Sequence, residues 1–167
     1  MAADPLRRLG GTRPIARDSM HPSTESNALD LPASPASSCR SVEGCDDFCR
    51  VALSVFRFIG AAYATGASDC WEAAYRFADE APGISDSPLL VARAAALVRI
   101  LRNGRHCDLR FMPPSCRRLS KDEAELVRLL TVARRREAGE LKAVVGQLVG
   151  REQESVTVQA VNALAFC

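Results

Sequence analysis

Aromatic side chains make up only 5% of this 167-residue chain, histidine occurs twice, and Lys121 and Lys142 are its only lysines. Sheet proteins draw on aromatic and β-branched residues, whereas alanine and leucine favour helices. The dominance of alanine, leucine and valine over aromatics therefore predicts an all-α protein. Charge of one sign is also lacking: the formal net charge is +2 and the isoelectric point about 8.2, short of the ~9 expected of a dedicated nucleic-acid-binding domain. No uninterrupted apolar run approaches the ~18 residues of a membrane-spanning helix. The first residues carry arginines and aspartates where a secretory leader needs an apolar stretch. A soluble, cytoplasmic protein is expected, with translation starting at Met1 or Met20. The replacement of lysine by arginine reads as the coding bias of a GC-rich genome.

Short catalytic signatures are missing too. The chain has no G-x-x-x-x-G-K-S/T loop, no G-x-G-x-x-G, no H-E-x-x-H and no G-x-S-x-G, which removes most motif-bearing nucleotide enzymes, zincins and α/β hydrolases. Carboxylates are scattered or sit at helix starts, where capping accounts for them, so no paired acid and base emerges. The balance leans away from an enzyme, and no cofactor is expected.

What is present is a 47% hydrophobic composition, ample for a core, distributed unevenly. Met1 to Gly44 is rich in Pro, Ser, Ala and Arg and lacks periodicity, which reads as a disordered tail. Residues 45–167 read as a single domain, a compact bundle of five or six helices. Phe48, Val51, Ala52, Val55, Ile59 and Ala62 recur at helical spacing behind Asp46 or Asp47 as a cap, with Arg50, Ser54 and Arg57 on another face. A shorter helix follows over Asp69 to Asp79. Ser87 and Pro88 read as the N-cap and first residue of a helix over Leu89 to Asn103, with Gly104 closing it. Leu126, Val127 and Leu130, then Leu141, Val144 and Val145, mark two more helices. Val158, Val161 and Leu164 make a shorter stripe, although Val156-Thr157-Val158 also suits a strand.

Between the third and fourth helices runs a long connector, Arg105 to Leu119. Pro113 and Pro114 break any helix there, and Ser120-Lys121-Asp122-Glu123 has the S-x-x-E spacing of a capping box. Arg110, Phe111, Met112, Arg117 and Arg118 are the candidate binding residues: an apolar anchor beside guanidinium groups that recognise acidic surfaces. Phe111 also suits a role anchoring the connector to the core.

Seven cysteines form no secreted-type framework. Cys39, Cys45 and Cys49 gather near the tail, and His106, Cys107 and Cys116 in the connector, so Cys45, Cys49, His106, Cys107 and Cys116 are the candidate metal ligands. Only Cys45 and Cys49 have the close spacing of a structural zinc pair, without a matching second pair. Cys116, beside two arginines and just before a helix start, is the candidate reactive thiol, with His106, the only histidine outside the tail, as its candidate base.

Two resemblances attach to these segments. LSKDEAELVRLL looks like the opening scaffold helix of bacterial response-regulator output domains, and GREQESVTVQAVNAL is similar in layout to their turn and recognition helix. That likeness implies a DNA-binding helix-turn-helix, although Glu152 to Cys167 contains no lysine or arginine to meet phosphates. The arrangement P-P-x-C-x3-S-x-D-E resembles small uncharacterised helical proteins of GC-rich bacteria and implies no activity. Taken together, the residues predict a non-enzymatic bacterial interaction or regulatory protein with a protein partner. A DNA- or RNA-binding regulator and a thiol or zinc site are the alternatives.

Overall fold

The structure, a computed structural model, describes residues 41–104 and 109–167. Most of the expected tail, together with His106 and Cys107, lies outside the described residues. Among those described, all regular structure is helical apart from one isolated bridge. Six α-helices follow a single 3-10 turn: α1 Asp47–Thr65, α2 Ser68–Glu80, α3 Ser87–Gly104, α4 Lys121–Arg134, α5 Ala138–Leu148 and α6 Arg151–Ala165. The bundle class expected from composition is the one observed.

Helix ends follow their local chemistry. Asp46 caps α1, its side chain accepting the Cys49 amide proton at 2.7 Å, and Gly66 closes the helix at φ 72°. That positive φ suits glycine. α3 begins one position earlier than Ser87-Pro88 suggests, because the Asp86 carboxylate accepts from Leu89 N at 2.9 Å. Asp86 is thus the cap, which puts Ser87 inside the helix. Ser120 and Glu123 form the reciprocal capping box of α4. The segment with strand-like character, Val156 to Val158, lies within α6. Thr157 is buried there and donates its hydroxyl to the Gln153 carbonyl at 2.7 Å.

One core runs through the bundle. α1 packs on α2, α3 and α4, while α3 also meets α2 and α6, and α6 rests on α4 and α5. Phe56, Ile59, Leu90, Leu97, Leu126, Leu130 and Leu164 are fully or almost fully buried. Each such side chain contributes roughly 1.5–3 kcal/mol on removal from water. α1 is the single described helix long and apolar enough to cross a membrane, yet Val51, Val55, Phe56 and Ile59 place its apolar side in the bundle core.

The domain's ordered contacts extend before Cys45. Ser41 bridges Arg118 in antiparallel fashion, Val42 N donates to the Arg117 carbonyl at 3.0 Å, and Val42–Gly44 forms the 3-10 turn.

Candidate interaction site

The connector is held by a side chain that periodicity placed on the polar face of α1. Arg57 is 2% exposed and pairs with Glu123, which is 0% exposed. Arg57 Nε donates to Glu123 Oε1 at 2.8 Å and Nη2 to Oε2 at 3.1 Å, a two-pronged geometry specific to guanidinium and carboxylate. Its remaining donors reach the connector backbone. Nη1 meets the carbonyls of Pro114, at 3.4 Å, and Cys116; Nη2 meets that of Arg118 at 2.7 Å. A guanidinium has five N–H groups, and here each has an acceptor.

Glu123 is equally occupied. Beyond Arg57, its carboxylate accepts from Met112 N at 2.9 Å and Ser120 N at 2.8 Å. The Ser120 hydroxyl accepts from Glu123 N at 3.1 Å and donates to the Arg110 carbonyl at 2.6 Å. Arg110 N in turn donates to Asp122 Oδ2 at 2.8 Å. A buried pair survives desolvation only when both ions are fully hydrogen-bonded, and this pair meets that condition by capturing the connector. Glu123 was legible as a cap. Its burial had a signal as well, since it stands in phase with Leu126, Val127 and Leu130. Arg57 follows Leu53 by one helical turn, but its partner lies 66 positions away and no local pattern names it.

The predicted binding residues separate into two groups on this frame. The side chains of Arg110, Arg117 and Arg118 are exposed, and Arg117 makes a 3.3 Å ion pair with the exposed Glu43. Pro113 and Pro114 are exposed, whereas Met112 is half-buried. Phe111 packs against the core, stacked on Phe56 with ring centroids 6.5 Å apart and planes inclined by 21°. It closes onto Gly60, where an added Cβ would overlap the ring. The anchoring role weighed for Phe111 is therefore the one its packing supports, and Gly60, missed in the sequence, makes room for it.

Beside this contact a cleft of about 220 Å³ opens between α1, α3 and the connector. Tyr63, Val98, Arg102, Leu109 and Phe111 line it. Arg102 lies over the Tyr63 ring, 4.7 Å from its centroid, and Trp71 meets Tyr63 edge-on at 5.7 Å.

The cysteine candidates are dispersed in their chemistry. Cys45 and Cys49 are both buried, and Cys49 Sγ lies 3.9 Å from Thr131 Oγ1. Burial, reinforced by the negative charge of Asp46, pushes the Cys49 thiol up to about 12, which opposes the thiolate that a metal requires. Among the described residues no three His, Cys, Asp or Glu side chains gather as a metal site. Cys116 is half-buried in a turn, with its amide donating to the Pro113 carbonyl at 2.9 Å. Its proposed base, His106, lies outside the described residues.

The C-terminal region forms α4, α5 and α6 with α6 packed on α3 as well. Its outward residues include Arg151, Glu152, Ser155, Val156 and Gln159. That face offers one cation beside a carboxylate, where a groove-reading helix uses several cationic or polar contacts to phosphates and bases. Compared with protein families, curated proteins and solved structures, the chain matches none of them.

Proposed function

We propose that this is a non-enzymatic bacterial interaction or regulatory protein whose connector presents arginines to an acidic protein partner. One observation carries the reading: Arg57 and Glu123 pin the connector backbone from inside, leaving Arg110, Arg117 and Arg118 exposed on a fixed frame. Holding the backbone beforehand lowers the ordering entropy that association otherwise costs. Exposed guanidinium groups steer and orient a complementary acidic surface. Among the described residues, the carboxylate that pairs with these guanidinium groups is Glu43 on Arg117; it is itself exposed, and such pairs are worth only about 0–1 kcal/mol, so a partner can replace it.

The test compares wild-type protein with the variant Arg110→Ala, Arg117→Ala, Arg118→Ala in quantitative affinity capture from the source cells. Partners held through this surface are lost from the variant while its thermal unfolding stays unchanged. Equal recovery of every partner by both proteins would remove the surface from consideration.

A further inference from the structure

We infer that the cleft between α1, α3 and the connector receives one apolar side chain of an acidic peptide segment, its flanking carboxylates meeting Arg102 and Arg99. This rests on the acidic-partner reading and adds where, and by which side chain, the partner is held.

The size of the cleft argues for a side chain. Sites for whole small molecules generally span ~300–1,000 Å³, and this one measures about 220 Å³. Its walls are Tyr63 and Phe111 rings with Val98 and Leu109, surfaces that stabilise an apolar group by taking it from water. Gly60 and Ala64 keep the α1 wall low, which lets Phe111 close one end without filling the space.

The charge pattern chooses the flanks. Among the described residues, Arg102 is the one ionisable wall residue besides Tyr63, and no carboxylate lines the cleft. The guanidinium carbon lies over the Tyr63 ring and, among the described residues, the group donates no hydrogen bond. Cation–π attraction to a ring does not use up the N–H groups, which stay available for a carboxylate. Arg99, exposed and nearly one helical turn earlier on α3, adds a second cation. A single-stranded nucleic acid would also stack on rings and meet arginines, but it needs successive ring platforms along a basic groove. Here one side-chain-sized cleft belongs to a chain of net charge +2.

The experiment uses the full chain and a short fluorescein-labelled peptide of glutamates and aspartates with one central leucine. A matched peptide carries alanine in place of the leucine, and binding is read by fluorescence anisotropy. Burying the leucine predicts about tenfold tighter binding than the alanine peptide. Ala64→Trp, at an exposed cleft position, should abolish that preference while its thermal unfolding stays that of the wild type. Arg102→Ala should weaken both peptides. Equal binding of both peptides, or a leucine preference that survives Ala64→Trp, overturns the cleft inference and leaves the arginine surface standing. If neither peptide binds, the acidic-partner reading falls with it. Oligouridine that binds more tightly than the leucine peptide and loses its affinity in Ala64→Trp would make the occupant a nucleic acid and overturn the peptide inference.

Discussion

Arg57 on α1 and Glu123 in the first turn of α4 form a buried, two-pronged ion pair across 66 positions of sequence. Each ion also binds connector backbone, so one pair joins two helices and the segment between them. Removing one partner strands the other charge in the core. Arg57→Met or Glu123→Leu should each destabilise the fold by about 3–5 kcal/mol. Urea unfolding monitored by circular dichroism measures this, and the double variant should lose less than the sum of the singles. Losses below about 1 kcal/mol for both singles would contradict a desolvated pair.

Ser120 has two separable duties. Ser120→Ala removes the acceptor for Glu123 N and the donor to the Arg110 carbonyl, and should destabilise the protein by about 1 kcal/mol or somewhat more. Ser120→Asp retains a capping acceptor and loses only the donor. An intermediate melting temperature for Ser120→Asp, between wild type and alanine, is the expected result.

Gly60→Ala should lower the melting temperature. Glycine inside a helix is ordinarily about 1 kcal/mol worse than alanine, so the substitution at an unconstrained site would stabilise. At Gly60 the new methyl meets the Phe111 ring. Phe111→Ala should reverse the sign, making Gly60→Ala favourable in that background; a stabilising Gly60→Ala in the wild type would contradict the close packing of ring on helix.

Alkaline stability should depend on Cys49. Its folded thiol titrates at about 12 against an ordinary value of 9.0, so the fold favours the neutral thiol. The unfolded chain releases this proton first, and the contribution is present below pH 9 and lost between pH 9 and 12. Cys49→Val should flatten the fall in unfolding free energy between pH 8 and 10.5. In native protein at pH 8, a disulfide-exchange reagent should modify the half-buried Cys116 before Cys49, with Cys49 reacting only on unfolding.

Local signals accounted for most of the helices and several of their ends. Asp46, Gly66 and the Ser120–Glu123 box each act within a few residues of themselves, and the structure has them in those roles. The shift of the α3 cap to Asp86 is also local, a contest between Asp and Ser one position apart. Val156 to Val158 was ambiguous because β-branched residues disfavour helix only weakly, and packing of Thr157 and Val161 decided it. Tertiary features behaved differently. Arg57 sits on a helix whose polar face is narrow, so its charge suggested solvent, and nothing near it in sequence announces Glu123 or the three connector carbonyls. Gly60 likewise acquires meaning only through Phe111, 51 positions later in the numbering. The cleft beside them combines three separate segments, a juxtaposition that periodicity cannot reveal.

The single guanidinium of Arg57 does for the connector what a neighbouring strand does in a sheet: it collects carbonyls at Pro114, Cys116 and Arg118. The path of this segment is consequently set in large part by main-chain carbonyl oxygens, which every residue type supplies alike. Outward positions such as Ser115 and Arg117 can change identity without changing the route of the chain. The connector is in this sense an interchangeable display frame, on which new surface chemistry can be written while the fold beneath stays constant.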